Sequence, residues 1–302
     1  MYDSTSLNRA HLCTFFAGLC ARMEITEMFW ILIVFLTAAG VLALLIWMIH
    51  PAPDRHGRLI PFLSYHYAHR GLWDATAGIP ENSLPAFAAA ADAGYAIELD
   101  VHLTADGQVI VFHDDTTGRM CGTSFIIEQT DWNQLSALHL AGTAETIPLL
   151  SEVLAVVDGR VPLLIELKLP SSDLSLCSAV LHLLDSYRGP YVIESFNSFG
   201  LRWLKKNRPE VLRGQLSARF PRTLNVAAPA RWLTTMLLVN TLGRPHFISY
   251  RFADTDTTGF RAVRKLFRTP CFLWTIRTQE DFLVCRQSGC TAIFEGILPG
   301  RS

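Results

Sequence analysis

The segment AIELDVHL alternates apolar and ionisable side chains, which places Glu98, Asp100 and His102 on one face of a predicted strand. Burying ionisable side chains on a strand costs free energy unless they bind a ligand or an ion. Only a short TADGQ segment separates this strand from VIVFHD, too short for a parallel crossover, so the two form a hairpin. The hairpin returns His113 opposite Leu99 or Asp100. An imidazole beside carboxylates is a candidate for acid–base chemistry.

A second set of ionisable side chains lies at the ends of the neighbouring apolar segments. His69 and Arg70 follow YHYA, and Glu166 and Lys168 share one face of PLLIELK. Three carboxylates converging from adjacent strands would repel one another unless a cation lay between them, and oxygen ligands favour Mg²⁺ or Ca²⁺ over Zn²⁺. Two histidines beside such a cation indicate an acid and a base. The positive charges of Arg70 and Lys168 favour an anionic substrate, and a phosphodiester fits.

The order of the segments after residue 65 predicts the fold. Eight short apolar runs (YHYAHR, AIELDV, PLLIELK, YVIESF, RGQL, HFISY, CFLWTI and AIFEG) alternate with helical patterns such as residues 82–93, 149–158 and 174–187. This order is typical of an α/β protein with a (β/α)8 TIM barrel, here with a β-hairpin insertion after strand 2. Active sites of such barrels lie at the carboxyl ends of the strands. Little sequence follows Glu295, so either the barrel closes without an eighth helix or the sequence is truncated.

One segment near the amino end predicts a membrane anchor. The run from Met28 to Ile49 carries no charge and is long enough to span a bilayer, with Trp30 and Trp47 near its ends. It exceeds the apolar core of a signal peptide, and no A-x-A cleavage site follows it. We therefore predict that one uncleaved N-terminal transmembrane helix precedes the barrel.

The charges that flank this segment bear on its orientation. Arg22 precedes the span, and Arg55 and Arg58 follow it, so the positive-inside rule favours a cytoplasmic main domain. Met23 is an alternative start, and its use would remove Arg22 and strengthen that bias. The expected organisation is an N-terminal tail at residues 1–27, a transmembrane helix at 28–49, a linker at 50–64 and the barrel domain at 65–302.

Composition excludes several other classes of protein. A formal net charge of -1 and a pI near 6.8 provide no basic field for a nucleic-acid backbone, so we expect no nucleic-acid partner. The cysteines after the span are odd in number and contain no CxxC pair: Cys121, Cys177, Cys271, Cys285 and Cys290. Neither a disulfide framework nor a zinc module is indicated.

Several fragments carry a family resemblance. AHRG, PENSLPAF, IELDVHLTADG, VIVFHD, LLIELK, ESF and WTI, in this order across residues 65–296, resemble the glycerophosphodiester phosphodiesterase family. The resemblance implies a barrel whose hairpin insertion carries the second catalytic histidine. It also implies hydrolysis of glycerophosphodiesters to an alcohol and sn-glycerol 3-phosphate, with a divalent cation.

Fragment by fragment, the resemblance implies roles for individual residues. It matches His69 and His113 to the acid–base pair, Glu98, Asp100 and Glu166 to the metal ligands, Arg70 and Lys168 to positive groups near the phosphate, and Trp274 to an aromatic residue at the pocket wall. Glu81 is either a partner that holds Arg70 or a structural residue, beside Asn82 or Ser83 as a helix N-cap. An Asp that the family often has near its last strand is replaced by Glu295, so the part that Glu295 takes stays open.

Two further functions fit the same residues. The first is lysophospholipase D-type hydrolysis of lysophospholipids to lysophosphatidic acid, because the anchor would hold the site near such lipids. The second is a non-catalytic, membrane-tethered barrel that binds phosphodiesters. The presence of all five residues matched to the acid–base pair and the metal ligands disfavours it. For the hydrolase, water and the substrate's own glycerol hydroxyl are both candidate nucleophiles, and either histidine can be the acid.

Overall fold

The computed structural model describes residues 4–54, 56–221 and 227–300, with side chains from residue 25 onward. Its strands are β1 (Tyr67–His69), β2 (Ala96–Leu103), β3 (Val109–Val111), β4 (Leu163–Leu167), β5 (Tyr191–Ser195), β6 (Arg213–Ser217), β7 (Phe247–Arg251), β8 (Cys271–Ile276) and β9 (Thr291–Phe294). Its α-helices are α1 (Ser4–Ile49), α2 (Ile60–Leu63), α3 (Leu84–Asp92), α4 (Gly118–Cys121), α5 (Trp132–Leu135), α6 (Leu150–Val157), α7 (Ser175–Leu184), α8 (Ser198–Asn207), α9 (Ala228–Thr235), α10 (Asn240–Gly243), α11 (Thr258–Phe267) and α12 (Gln279–Gln287).

The chain divides into two compact units, Met1–Trp47 and Met48–Ser302. The first unit consists of most of α1, whose segment Ile25–Ile49 has a mean hydropathy of 2.8 and is long and apolar enough to cross a membrane. A signal sequence meets the same criterion. Arg55 lies outside the described residues, as do the side chains of Arg22 and Met23.

The second unit is a closed barrel, as predicted. Eight strands pair in parallel from β1 through β2, β4, β5, β6, β7 and β8 to β9, and β9 pairs in parallel with β1 again. Each of the eight apolar runs overlaps one of these strands. Strand β3 pairs antiparallel with β2, with Val101 opposite Val111. Continuing this register places His113 opposite Leu99, which confirms the predicted hairpin.

Alternating side chains divide the core into two layers. Odd-numbered residues of β2, among them Ile97 and Leu99, pack in a large cluster with side chains of the surrounding helices. Ala96 on the same strand packs with Leu164 and Val192 in a second cluster inside the lower barrel. The even-numbered face of β2 therefore points into the barrel, as the sequence pattern predicts.

The segment before β1 closes the amino-terminal end of the barrel, which we call the barrel floor. Leu59 and Phe62 are buried in the inner cluster, and the Ala52 N–H donates to the Pro245 carbonyl over 2.8 Å. The Asp54 carboxylate accepts the backbone N–H of Leu59 over 2.8 Å and so holds the start of this turn. The described residues of this segment, 50–54 and 56–64, are thus packed against the barrel rather than extended away from it.

The hairpin leads into an insertion with a small core of its own. Ile110 and Phe112 pack there with Ile127, Leu135, Leu140 and Ile147. This separate burial fixes the loop that follows β3, and with it the position of His113. After β9 the described residues contain no further helix, and the barrel closes through the pairing of β9 with β1.

Candidate active site

Three buried glutamates meet at the carboxyl ends of β2, β4 and β5. Glu98, Glu166 and Glu194 each offer a carboxylate oxygen, and these oxygens all lie within 4.8 Å of one another. Burial raises the pKa of Glu166 to about 7, and burial followed by neighbouring negative charge raises the pKa of Glu98 and of Glu194 well above the ordinary value. The three carboxylates, when ionised, therefore carry more negative charge than the surrounding positive side chains neutralise.

Glu194 is the member that the sequence reasoning missed. It lies on β5 beside Glu166 in the parallel register, and it points inward for the same reason as Val192, two residues before it. Its Oε2 atom is buried and has no hydrogen-bond partner among the described residues. The same alternation rule that selected Glu98 and Glu166 would have selected Glu194 from YVIESF.

Asp100 lies two residues beyond Glu98 and belongs to a different set of contacts. Its Oδ1 atom lies 2.9 Å from Lys168 Nζ, and its Oδ2 atom accepts a hydrogen bond from Asn82 Nδ2 over 2.9 Å and lies 3.5 Å from Arg70 Nε. Burial opposes ionisation, but these cations hold the pKa of Asp100 well below its usual range. Asp100 is therefore a paired, ionised carboxylate.

Lys168 and Arg70 supply positive charge on either side of Asp100. Lys168 Nζ also lies 2.7 Å from Glu166 Oε1. Arg70 donates from Nη1 to Glu81 Oε1 over 2.8 Å, and its backbone N–H donates to Glu98 Oε2 over 3.0 Å. Arg70 has a φ of 58°, a left-handed conformation that is rare for a residue with a side chain and that turns this N–H toward Glu98.

His69 ends β1 and is oriented by Glu295, the residue directly after the last strand. Its Nδ1 lies 2.7 Å from Glu295 Oε2, and its Nε2 lies 4.0 Å from Glu98 Oε2. Arg277 Nη2 lies 3.1 Å from the same oxygen of Glu295. Burial lowers the pKa of His69, while the bond to Glu295 acts in the opposite direction. Because a carboxylate accepts at Nδ1, Nε2 is left toward the acidic cluster.

His113 has the same arrangement on the insertion. Its Nδ1 lies 2.6 Å from Asp114 Oδ1. Arg119 lies 2.5 Å from the other Asp114 oxygen, and its Nη2 lies 2.6 Å from Glu81 Oε1. Burial lowers the pKa of His113, and the charge of Asp100 opposes this. Asp114 therefore holds the His113 ring, and ion pairs with Arg119 and Glu81 hold Asp114 in turn.

His102 supports this loop from below. It is fully buried, its Nε2 lies 3.3 Å from the His113 carbonyl, and burial lowers its pKa to about 4. A neutral ring that donates to this carbonyl holds the backbone of His113. The contact agrees with a supporting part for His102 rather than a part in proton transfer.

The predicted residues surround one cavity of about 290 Å³. Its polar side includes His69, His113 and the glutamate cluster. Its other side includes Phe196, Leu216 and Trp274, and the Phe196 and Trp274 rings pack edge to face with centroids 5.8 Å apart. Asp100 and Glu81 lie behind this surface and act through their partners. The cavity thus combines two imidazoles, an acidic cluster and an apolar wall.

The donor set of the cluster fits a hard divalent cation. Oxygens that share one Mg²⁺ or Ca²⁺ lie at 2.0 to 2.6 Å from the ion, so they are at most about 4 to 5 Å from one another. The 4.8 Å limit for the cluster of Glu98, Glu166 and Glu194 falls within this range. The Glu194 Oε2 atom is buried and has no hydrogen-bond partner among the described residues, so this oxygen is available to a cation.

A closed parallel barrel with paired histidines and an acidic cluster at its carboxyl rim defines a TIM-barrel protein with the residues of a phosphoester hydrolase. Residues 69–295 match the model of the Glycerophosphoryl diester phosphodiesterase family, and the chain belongs to that family. The resemblance seen in the sequence is thereby confirmed.

Curated relatives share part of this chain. A glycerophosphodiester phosphodiesterase of Caldanaerobacter subterraneus subsp. tengcongensis is 32% identical over 163 residues, which cover 49% of this chain and 65% of the relative. A human lysophospholipase D is 34% identical over 105 residues, which cover 30% of this chain and 32% of the relative. The chain spans less than two thirds of the length of each of these relatives.

Solved structures share the fold. A phosphodiesterase of Oleispira antarctica, solved in complex with the product sn-glycerol-3-phosphate, superposes with a TM-score of 0.64 at 25% identity over 77% of this chain and 93% of that chain. A glycerophosphodiester phosphodiesterase of Thermotoga maritima superposes with a TM-score of 0.58 at 23% identity over 76% and 94%. Both likenesses agree with the barrel described above.

Proposed function

We propose that the protein hydrolyses glycerophosphodiesters to an alcohol and sn-glycerol 3-phosphate with the help of a divalent cation. The observation that carries this proposal is the pair of histidines, each held at Nδ1 by a carboxylate, on a cavity that also contains the glutamate cluster. Family membership supports the reaction class. The Oleispira antarctica relative, which is bound to sn-glycerol-3-phosphate, supports the product.

The cation, Mg²⁺ or Ca²⁺, would be held by Glu98 and Glu166 together with Glu194 or Asp100. Of the last two, Glu194 is favoured because Asp100 is already paired with Lys168 and Arg70, whereas burial and neighbouring carboxylates raise the pKa of Glu194. When bound, a divalent cation supplies positive charge to a non-bridging phosphate oxygen.

The protein's own residues perform the proton transfers. One of His69 and His113 removes a proton from the nucleophile, and the other protonates the leaving alkoxide, each through the Nε2 atom that its carboxylate partner leaves available. Arg70 and Lys168 offset negative charge that develops at the phosphoryl group. Phe196 and Trp274 restrict water on the opposite side of the cavity.

The test follows glycerol 3-phosphate release from glycerophosphocholine by the full-length protein in detergent, with chelator and then with Mg²⁺ or Ca²⁺ added back. We expect release only with a cation. His113→Ala should lower kcat/KM by about 10² to 10⁴, whereas His182→Ala, an exposed histidine on α7, should leave it unchanged. Binding without turnover would instead support the non-catalytic barrel. Transient glycerol cyclic phosphate would identify the glycerol hydroxyl as the nucleophile.

A second candidate function is lysophospholipase D activity. Two observations favour it: the human relative of that name and the apolar segment Ile25–Ile49. The assay offers lysophosphatidylcholine in mixed micelles and measures free choline. Choline release from this lipid without glycerol 3-phosphate release from glycerophosphocholine would select the lipid enzyme.

We also propose that residues 28–49 anchor the protein in a membrane and that the domain at residues 65–302 is cytoplasmic. The uncharged span and the positive charge of Arg58 after it support this topology. Protease digestion of intact inside-out and right-side-out vesicles tests it. Protection of the barrel in right-side-out vesicles alone would agree with a cytoplasmic domain.

A further inference from the structure

Two arginines line the cavity on the side away from the glutamate cluster. Arg251 ends β7 and lies beside Trp274 of β8 in the parallel register, and Arg277 follows β8. Both line the cavity that His69 and His113 share. The proposed reaction uses neither of them, because the groups assigned to the phosphate come from β1, β2, β4 and β5.

Arg251 has little of its charge neutralised by the described residues. Its Nε lies 4.0 Å from Asp254 Oδ2, beyond hydrogen-bond distance. That same oxygen accepts the backbone N–H of Arg219 over 2.9 Å, so it is already engaged. The guanidinium is about half exposed, with its side chain at 51% relative accessibility, and it carries five N–H donors in a planar fork.

Arg277 is partly engaged but adds to the same potential. Its Nε and Nη2 atoms lie 3.4 and 3.1 Å from the two Glu295 oxygens. Glu295 also accepts from His69, so this carboxylate is shared between two donors. The wall formed by the ends of β7 and β8 is therefore positive, and the apolar side chains of Phe196, Leu216 and Trp274 lie on the same cavity.

A phosphodiester bound at the histidines would place one of its two alcohol groups near this wall. A quaternary or primary ammonium at that end would meet two guanidinium groups, which is unfavourable. A carboxylate or phosphate would meet a fork of donors that matches its geometry. Arg251 is the stronger candidate contact because Arg277 already shares Glu295.

We propose that Arg251, assisted by Arg277, selects glycerophosphodiesters whose alcohol carries a negatively charged group. The inference rests on the proposed function, since it names the substrate class for the same site. The two arginines make the enzyme prefer an anionic alcohol over choline or ethanolamine. This preference is electrostatic and decreases as salt concentration rises.

The test uses three diesters of sn-glycerol 3-phosphate that differ in the end of a short alcohol: 3-hydroxypropionate ends in a carboxylate, ethylene glycol in a hydroxyl and ethanolamine in an ammonium. A fourth diester, which ends in a phosphate, separates carboxylate from phosphate recognition. The proteins are the full-length chain, Arg251→Gln, the charge-retaining Arg251→Lys and the control Arg261→Gln on α11, away from the cavity. Values of kcat/KM are compared at low and high salt.

We expect the wild type to prefer the carboxylate diester over the ammonium diester by about tenfold. Arg251→Gln should reduce this ratio to about twofold or less, whereas Arg251→Lys and Arg261→Gln should largely keep it. Equal kcat/KM for all diesters in the wild type would overturn the proposal. An equal loss for all diesters in Arg251→Gln would also overturn it, because Arg251 would then contact the shared glycerol.

A binding measurement separates this inference from the proposed function. The same diesters are titrated calorimetrically into His113→Ala protein with Mg²⁺. Ordered binding, carboxylate before hydroxyl before ammonium, would support the arginine site even if the wild type hydrolysed none of the diesters, and the hydrolase proposal alone would then fail. Turnover without ordered binding, or no binding of any diester, would overturn the inference.

Discussion

Replacement of Glu295 by glutamine tests how the last strand contributes to the site. The carboxylate lies 2.7 Å from His69 Nδ1, and both side chains are largely buried, at 17% and 13% relative accessibility. Glutamine keeps the size of the side chain and removes its charge. The variant therefore asks whether His69 depends on a negative partner or only on a filled space.

The expected loss follows from the strength of this contact. A hydrogen bond to a charged group contributes about 1.5 to 3 kcal/mol, which corresponds to about 10- to 150-fold in kcat/KM if it is made in the transition state. Burial already lowers the pKa of His69, and Glu295 opposes that effect. Removing the carboxylate therefore lowers the pKa further, because the imidazolium loses its partner. The limb of the pH profile that reports His69 should move to lower pH.

The assay measures kcat/KM for glycerophosphocholine from acidic to basic pH in the wild type, Glu295→Gln and Glu295→Asp. The aspartate variant keeps the charge and should recover part of the lost activity. Glu280→Gln, on the exposed face of α12, controls for general effects of losing a carboxylate. Unchanged activity and an unmoved pH profile in Glu295→Gln would refute the orienting part assigned to Glu295.

Three further predictions concern the cation, the second histidine and the floor. Glu194→Gln should raise the half-saturating concentration of Mg²⁺ or Ca²⁺ by about tenfold or more, and a metal titration with unchanged half-saturation would contradict it. Asp114→Asn should lower kcat/KM by about tenfold or more through misorientation of His113, which steady-state kinetics would show, and wild-type kinetics would argue against that link. Leu59→Ala should lower the free energy of unfolding by about 2 to 5 kcal/mol, whereas the exposed Ile60→Ala should change it by about 0.5 kcal/mol or less; equal denaturant midpoints would exclude a packed floor.

Local patterns in the sequence were sufficient for the barrel and its hairpin. The alternation in AIELDVHL identifies the inward face of β2, and the short turn before VIVFHD requires an antiparallel return. Both inferences depend only on neighbouring residues. They bring Glu98, Asp100 and His113 close together, whereas the barrel itself is predicted from the alternation of eight apolar runs with helical patterns along the chain.

The partner of His69 and the ion pairs that hold Asp114 beside His113 could not be obtained in this way. Glu295 is 226 positions from His69 in sequence, and the two meet only because the barrel closes β9 against β1. Arg119 reaches Asp114 and Glu81 through the path of an irregular insertion. Such contacts depend on loop conformation and on closure of the whole sheet, which residue spacing does not encode.

Glu98 and Asp100 show most clearly what a face assignment leaves undetermined. They share a face of one strand and are two residues apart, which is about 6.6 Å along the barrel. Their pKa values nevertheless move in opposite directions: burial and the neighbouring carboxylates raise that of Glu98, whereas Lys168 and Arg70 overcome burial and lower that of Asp100. Alternation selects both residues as inward-facing. The positions of the neighbouring cationic side chains decide which carboxylate is already neutralised and which would gain from a bound cation. Asp100 is therefore already paired with Lys168 and Arg70, whereas the surplus negative charge lies with the glutamates.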